Sequence, residues 1–281
     1  DRRAIGCRLP AGGAGPRKCP RTARAACGGF RHRLPGTDRP VNPAVALSLC
    51  AAAINLGAAV LQAGLSRAPG WRSARTFAII ALTAGLYSIF NLAFCTNGVP
   101  HPVVLAAGRI EYLLVTAHCV AWLMYAFGGS RASFRQMPRP IRGLALAVLG
   151  VGLFFGITGL HLQGAVETVR VPWAGVWYHY PLATTIGSVY GLALTGMLGV
   201  PFVVFLRSAA RGEPHARLQA AGFGVFFACA VLEVLVANRS IEFLSMADIG
   251  MLAIVLPVSV ATWRRFVAAA GRLEELSGHL A

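Results

Sequence analysis

The sequence predicts an all-α fold: a polytopic membrane protein built as a seven-transmembrane-helix bundle, with a further helix continuing from its last span into the cytoplasm. Three observations predict it. Of 281 residues, 56% are hydrophobic and only 13% are charged, where a soluble domain is about a quarter charged. From residue 43 onward, apolar segments of roughly twenty residues, the length that crosses a bilayer, alternate with short polar links. Arginine gathers in every second link. The apolar runs are unbroken, whereas barrel strands would be about ten residues long with alternating polarity, so the spans are helices. A mean hydropathy of +0.61 excludes disorder for most of the chain.

Residues 1–41 stand apart. They are rich in Arg, Pro and Gly, hold ten of the 26 basic residues, and carry no apolar core of signal-peptide length. A disordered basic tail, a targeting peptide and translated sequence upstream of a misplaced start are the three readings. The last is favoured, because one lysine (Lys18) against 25 arginines fits a GC-rich reading frame. The seven-helix domain then occupies residues 42–263. Its spans are expected at Pro43–Leu65, Arg75–Cys95, Val103–Phe127, Leu144–Gln163, Leu182–Leu206, Leu218–Ala237 and Ser245–Trp263. Pro201 and Pro257 fall inside spans, where they are tolerated as kinks.

Arginine sets the orientation. The links after spans 1, 3, 5 and 7 hold thirteen arginines; those on the other side hold only Arg170 and Arg239. The arginine-rich side is the cytoplasmic one, so the C-terminus is inside. The net charge of +16 is thereby largely a topology signal and predicts no nucleic-acid partner. Trp122, Tyr125 and Trp263 fit anchors at the inner interface. In the outer link VPWAGVWYHYPL, Trp173, Trp177, Tyr178 and Tyr180 read as an aromatic belt along the membrane surface, or alternatively as a lid over a ligand pocket.

Beyond span 7, residues 264–281 continue as an amphipathic helix. Phe266, Ala269, Leu273, Leu276 and Leu280 are spaced 3, 4, 3, 4, an a/d stripe suited to a parallel coiled coil. A homodimer through this helix is expected; the alternative is a tail helix resting on the membrane.

Ionisable residues inside a bilayer are costly and are functional candidates by default. At 1.5 Å per residue, Arg109, Glu111, Glu233 and Asp248 fall in the outer half of the membrane, with Asn91 at similar depth. Arg109 is expected to be a buried cation paired with these carboxylates. Such a cluster reads as an ion pair that fixes packing, as a pocket open to the outside for an unknown small ligand, or as a conducting path. Polar residues look few in the inner half, which argues against a path. His118, His161 and His179 show no diagnostic ligand spacing, and the cysteines form no CxxC pair, so neither a metal nor a cofactor is predicted. The only lysine is outside the spans, which excludes a retinal Schiff base, and G-x-S-x-G, H-E-x-x-H and P-loop motifs are absent. No catalytic residue is predicted, and His279 lacks a phosphoacceptor context.

RTFAIIALTAGLYSIFNLAF (Arg75 to Phe94), GRIEYLLVTAHCVAWLMYAF (Gly108 to Phe127) and the terminal RLEELSGHLA together resemble the membrane-sensor region of bacterial seven-helix sensor histidine kinases. The resemblance covers residues 43–281 and transfers no catalytic residue. It implies a sensory input module in the bacterial inner membrane. Phe266, Leu273, Leu276 and Leu280 would then form the start of a signalling helix leading to an output domain beyond Ala281. A small-molecule transporter or a membrane-embedded enzyme is the alternative class.

Overall fold

The computed structural model describes residues 42–68, 71–128, 134–213 and 216–280, without the side chains of Arg72, Gln136, Leu273, Glu274 and residues 276–280. The terminal segment 1–41, on which the tail readings fall, is outside the described residues.

Among the described residues, seven α-helices form the fold: α1 (Pro43–Leu65), α2 (Arg72–Cys95), α3 (His101–Gly128), α4 (Arg139–Thr158), α5 (Thr185–Ala210), α6 (Ala216–Ala237) and α7 (Ala247–Leu280). Each is long and apolar enough to cross a membrane. Polarity runs opposite to that of a soluble bundle. On α1, Val60 is 74% exposed while Ser48, Asn55 and Gln62 are buried. On α4, Leu146, Leu153 and Ile157 face outward. A bilayer accepts such an apolar exterior; water does not.

Local sequence explains the helix ends. Asn42 caps α1 by accepting the Ala44 N–H at 3.2 Å, and Pro43 follows it at the first helical position, where a missing N–H costs nothing. The Asn42 amide nitrogen also donates to the carbonyls of Cys95 and Trp177. Thr184 caps α5 by accepting from Gly187 N–H at 3.2 Å. Span 4 was expected to reach Gln163. It stops at Thr158 because Gly159 adopts φ 72° and closes the helix with its N–H on the Phe155 carbonyl, the usual left-handed glycine stop.

After that stop, the described residues form a two-stranded sheet. Strands β1 (Leu162–Val171) and β2 (Val176–Ala183) pair antiparallel. Val171, Val176, Tyr178 and Tyr180 are buried with Phe94, Val104 and Val236 in a second small core at this end of the bundle. A surface belt of all four link aromatics is therefore corrected: Tyr178 and Tyr180 turn inward, Trp177 is half-buried, and only Trp173 is well exposed, at 63%. The physical reason is the strand period of two, which sends Val176, Tyr178 and Tyr180 to one face.

α4 docks on α3 through small residues. A Cβ at Gly152 would come within 2.6 Å of the Thr116 side chain, and one at Gly156 within 2.5 Å of Leu113. This is the small-xxx-small packing that lets membrane helices approach closely. The main core centres on Trp122, fully buried and in edge contact with Phe77, Phe205 and Phe223.

α7 runs unbroken through Trp263 to Leu280. Its 34 residues span about 51 Å at 1.5 Å per residue, against about 30 Å for a hydrocarbon core. Phe266, expected on a dimer seam, packs within the chain on Trp71 and Trp263 with centroids 6.0 and 5.9 Å apart. The side chains of Leu273, Leu276 and Leu280 are outside the description.

Candidate functional site

The hairpin end of the bundle gathers most of the buried polar groups. Asp248 occupies the first turn of α7 and is 2% exposed. Its Oδ1 accepts from the Ser88 hydroxyl at 2.6 Å; its Oδ2 accepts from the Ser48 hydroxyl at 2.6 Å and from the Asn91 amide at 3.0 Å. Ser48 is on α1, and Ser88 and Asn91 are on α2. One carboxylate thus latches the start of α7 to two other helices. Its placement also suits the helix, because a negative group in the first turn complements the helix dipole.

Glu233, one turn from the end of α6, grips the same start from the other side. Its Oε2 accepts from the Ser245 hydroxyl at 2.9 Å and from the Met246 N–H at 3.1 Å. The Ser245 N–H in turn donates to the Tyr178 hydroxyl at 3.2 Å. Four elements, α1, α2, α6 and the hairpin, therefore hold the four residues Ser245–Asp248 from which α7 departs.

Beside this grip is a cavity of about 190 Å³ between α2, α3, α5, α6, α7 and β2, lined by Glu111, Glu233 and Tyr180 among mostly apolar neighbours. Glu111 is 7% exposed and its Oε1 has no hydrogen-bond partner. The Tyr180 hydroxyl is likewise buried and unpartnered. Burial pushes the Tyr178 and Tyr180 phenols above their usual value, so both keep their protons and remain available as donors.

Arg109 is not where the sequence reading put it. It is exposed, and among the described residues it makes no salt bridge to Glu111, Glu233 or Asp248. Two positions before Glu111 on one helix, it points to a different face. Its guanidinium lies over Gly159, where a Cβ would come within 2.6 Å of it. Next to it, His161 is fully buried between Tyr112 and Phe155, with ring centroids at 4.2 and 5.6 Å. Burial pushes the His161 imidazole below its ordinary value, and Arg109 acts in the same direction. The acidic cluster therefore divides into a satisfied latch at Asp248 and Asn91 and a cavity wall at Glu111 and Glu233, and among the described residues no salt bridge joins a cation to any of them.

His118 also has a settled role. The Trp122 indole N–H, which can only donate, reaches His118 Nε2 at 2.9 Å, and Nδ1 is 2.9 Å from the Thr83 hydroxyl. Nε2 accepts, so the ring is neutral with its proton on Nδ1, and both nitrogens are occupied. Among the described residues no group of three or more His, Cys, Asp or Glu is placed to hold a metal ion.

Sequence reasoning missed Ser48, Ser88, Tyr87 and Tyr112, which help build the latch or the cavity wall. It also missed Asn55 and Gln62, both fully buried with every side-chain polar atom unpartnered. A signal existed: Ser48, Asn55 and Gln62 recur every seven residues, which puts them on one stripe of α1.

Scanned against protein-family models the chain matches none, and no curated protein matches it.

Proposed function

We propose that the chain is the sensory input module of a bacterial signal-transduction protein, with a stimulus received at the hairpin end and relayed along α7 to an output domain. What carries this reading is a single observation: the cavity wall and the grip on α7 share a residue. Glu233 lines the cavity and also accepts from Ser245 and Met246 at the root of α7. A molecule that enters the cavity and competes for that carboxylate weakens the grip, and a ligand shifts an equilibrium by as much as it discriminates between two states. α7 is a long lever from this root and reaches some 20 Å beyond a hydrocarbon core. Arginine-rich links at the far end support a cytoplasmic position for that extension.

The test is a fusion of residues 42–281 to the dimerising catalytic half of an unrelated histidine kinase. Glu233→Leu and Asp248→Leu are expected to change its autophosphorylation several-fold while membrane insertion is preserved. Kinase output indifferent to both substitutions overturns the reading. So does solute flux through purified wild-type protein in vesicles, which favours a transporter. Reporters placed after Gly70, Gly129 and Gly212 are expected in the cytosol, and one of them outside reverses the direction of the relay.

A further inference from the structure

We propose that the cavity at the hairpin end binds a small monovalent organic cation with a flat apolar body, an arylalkylamine by chemical class; this rests on the reading of the cavity as the stimulus site. Three properties of the wall point to it.

The first is charge. Two carboxylates, Glu111 and Glu233, line the cavity, and among the described residues neither Arg nor Lys is in its wall. Arg239 is not among the lining residues; it stands 5.2 Å over the Tyr180 ring, with its Nε on Glu167 at 3.0 Å and its two terminal nitrogens buried without a partner. The second is an unused acceptor. Glu233 spends one oxygen on Ser245 and Met246, whereas Glu111 Oε1 is buried with no partner. Buried polar groups are almost always hydrogen-bonded, and an exception calls for an explanation. An ammonium, with three donors and no acceptor, satisfies Glu111 Oε1 and offsets the charge at once.

The third is shape. Tyr87, Tyr112, Tyr180 and Phe226 supply aromatic surface, which favours flat apolar bodies and attracts cations to ring faces. The volume, about 190 Å³, is somewhat larger than a cavity of about 150 Å³ that holds benzene. One aromatic ring with a two-carbon ammonium arm fits; a drug-sized ligand does not, since pockets for those start at about 300 Å³.

The experiment uses the purified full chain in detergent and three probes of one shape: 2-phenylethylamine, 2-phenylethanol and phenylacetate. Binding is read from ligand-dependent thermal stabilisation and from titration calorimetry. The amine is expected to bind at least about tenfold more tightly than the alcohol, and phenylacetate not at all, since a hydrogen bond to a charged group is worth a factor of ten or more. Glu111→Gln is expected to weaken the amine by about tenfold or more and leave the alcohol within about twofold.

Equal binding of amine and alcohol overturns the proposal, as does amine binding unaffected by Glu111→Gln, or no binding of the amine at millimolar concentration. The sensor reading fails separately. If the amine binds through Glu111 but leaves the kinase fusion unchanged, the ligand class stands and the relay does not. If the fusion responds to Glu233→Leu while no amine binds, the relay stands and the ligand class does not.

Discussion

Asp248→Leu is the substitution whose effect follows most directly from geometry. The carboxylate accepts three side-chain hydrogen bonds, from Ser48, Ser88 and Asn91, at 2.6, 2.6 and 3.0 Å. Interhelical hydrogen bonds in membrane proteins average about 0.6 kcal/mol and reach about 1.7. Losing three therefore costs about 2 kcal/mol, and about 5 at the upper end of that range. Asp248→Asn is the discriminating control. Its amide oxygen, in place of Oδ2, keeps the bonds from Ser48 and Asn91. Its amide N–H₂, in place of Oδ1, donates to the Ser88 hydroxyl, which turns its own proton to the Ala84 carbonyl at 3.2 Å. The loss for Asn is then expected to stay below about 0.6 kcal/mol, the worth of one bond. Equilibrium unfolding in SDS, followed by the fluorescence of buried Trp122, measures both variants. If Leu costs less than one bond, the latch does not hold α7. If Asn costs as much as Leu, the negative charge is what matters, and counting hydrogen bonds is the wrong account.

Three further outcomes follow from packing and burial. Gly156→Ala puts a methyl 2.5 Å from Leu113 and is expected to cost about 1–3 kcal/mol, the usual penalty for overpacking; Gly150→Ala, with nothing within 4 Å, is expected to cost nothing, and equal effects in SDS unfolding refute close α3–α4 packing. Asn55→Leu and Gln62→Leu replace buried amides without partners by apolar groups of similar size. Each is expected to raise stability by about 1 kcal/mol or more, because an unsatisfied buried polar group costs about 1–3; a fall in the SDS midpoint means that the amides are in fact satisfied. His161 is held below its ordinary pKa by burial, so the unfolded chain takes up a proton there before the folded one does. Stability is then complete above about pH 6.5, the free imidazole value, and is lost as the pH falls below it. His161→Phe is expected to flatten that part of the midpoint-against-pH curve between pH 8 and 5, and parallel curves for both proteins refute the assignment.

The helices were legible because the bilayer demands them: twenty apolar residues have no other way to satisfy their backbone, and Pro43–Leu65 is the same segment in sequence and structure. The hairpin was not. Its two strands lie in the link between two dominant hydrophobic signals, and the inward alternation of Val176, Tyr178 and Tyr180 is short enough to pass as an interfacial belt. Gly159 was the overlooked cue, since a glycine followed by a break in apolar periodicity is a helix stop.

The polar site divides along similar lines. Depth along a helix follows from residue number alone, so Glu111, Glu233, Asp248 and Asn91 could be assigned to one end of the bundle. Which of them meet depends on azimuth and on how neighbouring helices are rotated. On a helix, residues two apart diverge by about 200° at 3.6 residues per turn. Arg109 and Glu111 therefore face different sides of α3, and the spacing itself argued against pairing these two; that Arg109 also misses Glu233 and Asp248, on α6 and α7, depends on how those helices are placed. The same arithmetic works in the positive sense for α1. Residues 48, 55 and 62, seven apart, drift by only about 20° at each step, so one buried serine in contact with Asp248 implies that Asn55 and Gln62 face the bundle too. Azimuth read against depth is what separates the latch from the cavity wall, and it leaves Glu233 as the residue that belongs to both.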